Sequence, residues 1–99
     1  AQYRTRPDRD QILYDYALGA LRRSQLRHDE AVALYRGIVL RQPDLAYPRF
    51  DLGVMLFENK QYREAAAELE RAKPDLQPDM QQLADHYLKA VKDAQSWQP

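Results

Sequence analysis

The chain has no cysteine in its 99 residues, which removes disulfide frameworks, thiolate metal sites and cysteine nucleophiles together. Glycine is scarce: Gly19, Gly37 and Gly53 stand alone, so no glycine-rich loop can cradle a phosphate. A charge surplus is missing too. Lysine plus arginine is 15, aspartate plus glutamate is 15, and the formal net charge is zero. Binders of nucleic acid or anionic membrane carry a basic excess, so neither partner is expected. No apolar run approaches the roughly 20 residues that a membrane-crossing helix needs. No segment alternates with period two, so no sheet is expected. The two histidines, His28 and His86, lack companions at ligand spacing. Ser24 and Ser96 lack a nucleophile-elbow sequence, and Asp29 with Glu30 or Glu68 with Glu70 read as solvated helix faces. The expectation is a non-enzyme with no metal, no cofactor and no small-molecule substrate.

A hydrophobic fraction of 44% and a charged fraction of 30% suit one small folded domain rather than a disordered chain. The charge divides unevenly, +3 over residues 1–49 and −3 over residues 50–99, a mild dipole able to orient a partner. The chain begins at Ala1 without a signal peptide, and is therefore expected to be a processed or excised piece.

The informative feature is a repeat. Leu18-Gly19 recurs 34 residues later as Leu52-Gly53, and Glu30-Ala31 recurs as Glu64-Ala65 at the same spacing. Tyr35 aligns with Leu69, and Ile38 with Ala72. This period is the signature of stacked helical pairs. Within a unit, Ala31, Leu34, Tyr35 and Ile38 lie at i, i+3, i+4 and i+7, one face of a helix. Pro7 and Asp8 predict a first helix near 9–24, and His28 or Asp29 starts a second that ends by Arg41. Asp44 is placed to cap a third helix near 45–59. A fourth ends before Pro74, because proline disfavours helix in the residue ahead of it. Pro78 and Asp79 open a fifth, running to about Ser96.

These residues resemble the tetratricopeptide repeat (TPR). Leu18, Gly19, Ala31, Tyr35 and Pro43 supply its pattern in one unit; Leu52, Gly53, Ala65, Leu69 and Ala72 supply it in the next. The small residues let two helices approach, and Tyr35 and Leu69 fill space between units. Asp15, Arg22 and Arg49 depart from the pattern, standing where it usually has bulky apolar groups. The resemblance implies an all-α, TPR-type solenoid of about two and a half repeats. Repeat one covers about 12–45, repeat two about 46–79, and a capping helix about 79–96.

A narrower resemblance covers residues 48–97. Pro48-Arg49-Phe50-Asp51-Leu52-Gly53, Leu56-Phe57, Glu64-Ala65-Ala66, then Leu76, Pro78, Gln81, Gln82, Tyr87-Leu88, Ala90 and Trp97 resemble the surface lipoprotein assembly modulator (Slam) family, in the periplasmic segment before its outer-membrane barrel. That resemblance implies a periplasmic module helping lipoproteins reach the surface of Gram-negative bacteria, with a surface lipoprotein as client and a C-terminal barrel in the parent chain. The alternatives are a general TPR scaffold or adaptor, periplasmic or cytoplasmic, and a structural spacer that positions a barrel without binding a client.

In a TPR array the concave face is lined by the first helix of each pair. Counting from Leu-Gly, the inward positions are Leu13, Tyr16, Ala20 and Arg23, then Tyr47, Phe50, Val54 and Phe57. The lysine and asparagine of a carboxylate clamp are missing here, so an acidic chaperone tail is not the expected ligand. An apolar, aromatic groove for a polypeptide is expected, with self-association through it as a second outcome. Against this stands a fifth helix, with Leu83, Tyr87, Leu88 and Val91 on its apolar side, that covers the groove itself. The basic cluster Arg22, Arg23 and Arg27 reads as a solvated helix end, where cations favour the helix dipole; its functional alternative is a seat for phosphate or an acidic segment.

Overall fold

The computed structural model describes residues 6–96, so Trp97 lies outside the described residues. Five helices follow one another: α1 (Arg6–Ser24), α2 (His28–Arg41), α3 (Ala46–Glu58), α4 (Tyr62–Ala72) and α5 (Pro78–Ser96), with a 3-10 turn at Lys73–Asp75 before the last. Among the described residues there is no strand. Each helix packs on the next, α1 on α2, α2 on α3, α3 on α4 and α4 on α5, and α5 also reaches back to α3. The result is the all-α, TPR-type solenoid, 54 × 29 × 19 Å in extent, with α5 packed over α4 and α3.

Two boundaries differ from the sequence expectation. The first helix already includes Arg6, ahead of residue 9, and so takes in Pro7. The N-cap of α3 is Leu45 in extended conformation, with no side-chain cap, so Asp44 does not cap it. Packing of an apolar helix outweighs a missing cap, worth about 1 kcal/mol.

The repeat is also written in the turns. Among the described residues Leu26 (φ 61°) and Lys60 (φ 64°), 34 residues apart, are the non-glycine residues in the left-handed region. Each closes a Schellman motif. Arg27 N–H donates to Arg22 C=O at 2.8 Å and Leu26 N–H to Arg23 C=O at 3.0 Å. Gln61 N–H and Lys60 N–H repeat this onto Leu56 and Phe57 at 2.8 and 3.0 Å. Both reversals satisfy helix-end carbonyls the same way and so hold the two pairs in the same hairpin geometry.

The core forms two clusters. One joins Ile12 of α1, Ala31, Val32, Tyr35, Ile38 and Val39 of α2, and Leu52, Met55 and Leu56 of α3. The other joins Phe50 and Val54 of α3, Leu69 and Ala72 of α4, Leu76 and Ala84. Helix α2 is buried on two sides because it lies between α1 and α3, which is why Val32 and Val39 join the expected stripe while Leu34 stays half-exposed.

The three residues that depart from the TPR pattern become polar ties. Asp15 and Arg49 occupy equivalent positions 34 apart, and each bridges to the second helix of its own pair: Arg41 to Asp15 at 2.5 Å, Arg49 to Glu68 at 2.7 Å. Arg49 also donates to Pro43 C=O at 2.8 Å. Arg22 is shared between Gln25 (3.0 Å) and Glu30 (3.9 Å).

Candidate functional site

The eight residues expected to line one groove separate into two environments. Phe50 is 4% exposed and Val54 3%, because α5 lies over them with Met80, Ala84, Tyr87 and Leu88. Phe50 meets Tyr87 edge-on at 6.1 Å between ring centres, and Phe57, half-buried, meets Tyr87 at 5.7 Å and Tyr62 at 5.8 Å. Phe50 and Val54 are therefore corrected from groove lining to core, and Phe57 is half-buried against it. Tyr47, 40% exposed, sits at the rim with its hydroxyl accepting from Gln77 N–H at 3.4 Å. Leu13, 57% exposed, does not line the cleft described next.

Tyr16, Ala20 and Arg23 do come together. With Ser24, Leu26, Tyr35 and Asp51 they line an open cleft of about 540 Å³ between α1 and α3. At the α3–α5 level the equivalent space is closed by Tyr87, whose ring meets Phe50 and Phe57. Helices α1 and α3 are joined across the gap by side chains: Tyr16 O–H donates to Asp51, and Arg23 donates to both carboxylate oxygens of Glu58 at 2.9 and 3.2 Å.

The floor of the cleft is Tyr35 of α2, whose ring meets Tyr16 edge-on at 5.0 Å and whose hydroxyl donates to Tyr16 C=O at 3.3 Å. It rests directly on Gly19, where an added Cβ would lie 2.7 Å from Tyr35 Cε2. Burial pushes the Tyr35 hydroxyl up to about 12, with the Asp51 charge adding to it. Tyr16 is pushed up further, by burial first and then by its bond to Asp51. Asp51 is itself raised by burial, against the opposing pull of Tyr16 and Arg23. Its hydrogen bond to Glu58 is the largest cause holding Arg23 in its charged form. Both tyrosines thus stay neutral donors at physiological pH.

The cleft offers one partly desolvated carboxylate, one guanidinium, and an apolar lining from Ala20, the tyrosine rings and Leu26. Leu26, 77% exposed at the rim, is an apolar side chain held at positive φ. Donor, acceptor and apolar surface side by side suit the backbone and side chains of an extended polypeptide. Leu26, Tyr35 and Asp51 were not among the expected lining residues. Asp51 carried a signal, a carboxylate directly beside Leu52-Gly53 in the middle of α3, whereas Leu26 carried none beyond its spacing from Lys60. Arg27 pairs with Glu30 and Arg22 with Gln25 and Glu30, so the basic cluster is largely paired within the fold. His28 Nδ1 is buried without a partner, while His86 is exposed. Among the described residues no group of three or more His, Asp or Glu is placed to hold a metal.

Comparisons with known proteins agree with this architecture. The chain is 33% identical over 96 residues to surface lipoprotein assembly modifier 1 of Neisseria meningitidis serogroup B, covering 96% of this chain and 20% of that protein. It is 28% identical over 89 residues to a surface lipoprotein assembly modifier of Pasteurella multocida, covering 89% of this chain and 18% of that one. The chain thus spans about a fifth of the length of the curated relatives it matches. No solved structure matches it at a significant level. The family model described as "Surface lipoprotein assembly modifier, N-terminal TPR repeats" matches residues 1–69, taking in the first repeat, which the narrower resemblance over 48–97 left out. The chain belongs to this family, as a run of its TPR repeats.

Proposed function

We propose that the chain is a non-catalytic, client-binding part of a protein that helps deliver lipoproteins to the bacterial cell surface, held in the periplasm at the outer membrane through its parent. The α1–α3 cleft receives an extended segment of the client. The observation that carries this reading is the cleft itself: about 540 Å³ lined by Tyr16, Ala20, Arg23, Leu26, Tyr35 and Asp51, on the face where helical repeats hold peptides. One cost of keeping it supports a binding role. Asp51 keeps a carboxylate in partly buried surroundings that disfavour its charge. Such costs collect where a surface is shaped for a ligand. Both relatives are named for surface lipoprotein assembly, which supplies the client class.

The test is Ala20→Trp in the full-length parent. Ala20 is exposed on α1, so a tryptophan there fills the cleft without entering the core. Surface exposure of a lipoprotein client is then measured on intact cells, beside capture of that client by the purified parent. Loss of both, with the barrel still assembled in the outer membrane, supports the reading. Unchanged capture and exposure would leave the chain a spacer. Lost capture of peptides at large, with lipoprotein exposure intact, would make it a general scaffold.

A further inference from the structure

The molecule contains a template for what its own first helix lacks. Helix α3 carries Leu52 and Met55, 1% and 0% exposed, in the cluster built with Val32, Ile38 and Val39 of α2. Pro48, one turn earlier, is buried as well. Moved back by the 34-residue repeat, these positions are Tyr14, Leu18 and Leu21 of α1. They form the same stripe at i, i+4 and i+7, yet Tyr14 is 62% and Leu21 48% exposed, and Leu18 is half-exposed. Equivalent apolar residues on equivalent helices differ in that α2 lies beside those of α3, while among the described residues no helix lies beside those of α1. Three adjacent large apolar groups on one helix exceed the scattered apolar residues that protein surfaces ordinarily show.

We infer that Tyr14, Leu18 and Leu21 are the seat of a further helix of α2 type, supplied by the parent protein on the N-terminal side of α1. A second copy of this chain has no free helix of α2 type for the seat. Its α2 already lies between α1 and α3, and its α4 between α3 and α5, so neither has a face left to offer. Helix α5 packs on α4 as α3 packs on α2, which makes it a first-of-pair helix, and first-of-pair helices here rest on second-of-pair ones. The relatives are about five times longer than the matched span, so most of their length lies outside it. The occupant's chemistry follows from α2: a helix with β-branched residues two turns apart, as Val32 and Val39 are, facing the Leu18–Leu21 surface.

The experiment is hydrogen exchange on the full-length parent, comparing wild type, Tyr14→Asp with Leu21→Asp, and Leu40→Asp as a control at an exposed position of α2 (76% exposed). The seat predicts slow exchange along Tyr14–Leu21 in wild type and at least about tenfold faster exchange there in the double variant, since each buried apolar side chain is worth roughly a factor of ten in the opening equilibrium. Leu40→Asp should change nothing. Should the double variant fail to assemble, the milder Leu21→Ala, with Tyr14 retained, reads the same segment. Equal exchange in wild type and both variants overturns the inference. So does protection along α1 that fades on dilution, because that would identify a second copy. The readout does not involve the client, so it fails or holds independently of the α1–α3 cleft.

Discussion

Gly19 lies under the ring of Tyr35 as Gly53 lies under Leu69, the two contacts being 34 residues apart and each 2.7 Å from where a Cβ would stand. The glycine of the repeat is thus a receptor for a bulky residue on the partner helix. Gly19→Ala and Gly53→Ala should each overpack that contact and cost about 1–3 kcal/mol. Bulky replacements of Ala31 or Ala65, both fully buried, should cost as much. Gly37, with nothing within 4 Å, is the control: Gly37→Ala should stabilise by about 0.5–1 kcal/mol through helix propensity. Chemical denaturation of the five variants checks the contrast, and equal effects at Gly19 and Gly37 would refute it.

The left-handed residues give a prediction of opposite sign. Leu26→Gly and Lys60→Gly remove a backbone cost of about 1–2 kcal/mol, less what glycine adds to the freedom of the unfolded chain. Each should raise the denaturation midpoint by the equivalent of about 0.5–1 kcal/mol with an unchanged slope. Leu26→Gly should at the same time weaken client capture, because it strips an apolar group from the cleft rim, whereas Lys60→Gly should not. A stability gain at both positions with a binding loss at one separates the turn's geometry from Leu26's own surface.

Asp51 makes stability depend on pH. Burial raises its folded-state value above the ordinary 3.8, although Tyr16 and Arg23 pull the other way. The folded protein therefore holds this proton more tightly than the unfolded chain. The stability it contributes is complete below the unfolded value and is lost as pH rises through the raised folded one. Asp51→Asn keeps an oxygen acceptor for Tyr16 and removes the charge. It should be more stable than the parent at neutral pH, with the difference closing on acidification toward 3.8. A variant less stable than the parent at pH 7 would show that Arg23 and Tyr16 outweigh burial.

What the sequence disclosed and what it hid follow from range. The 34-residue echoes of Leu-Gly and Glu-Ala, with prolines at the breaks, placed five helices to within a few residues, because each signal is local or exactly periodic. The concave register placed Tyr16, Ala20 and Arg23 beside the cleft for the same reason. Phe50, Val54 and Phe57 were misplaced because their exposure depends on where α5 lies, and α5 is not a repeat of anything before it that marks its docking side. The apolar stripe of α3 looked the same for a groove and for a core. Tyr87, already placed by the sequence on the apolar side of α5 as a cover for the groove, decides between them by packing on Phe50 and Phe57.

Tyr87 therefore carries the last prediction. Its ring touches both Phe50 and Phe57 and fills the level between α3 and α5 that stays open between α1 and α3. Tyr87→Ala should reopen that level and expose the phenylalanines that α5 now covers. Truncating a buried aromatic costs about 3–5 kcal/mol; Tyr87 is half-buried, so a smaller loss of about 2–3 kcal/mol is expected by apolar area alone. Phe50→Ala, fully inside the same contact, should cost the larger amount, and the double variant less than the sum because the two rings share one contact. Such coupling, measured by a double-mutant cycle in denaturant, distinguishes a ring that seals the solenoid from one that merely lies on it. Additive losses would mean that Phe50 is buried by Met80, Ala84 and Leu88 without Tyr87, and the closed second level would then owe nothing to the tyrosine.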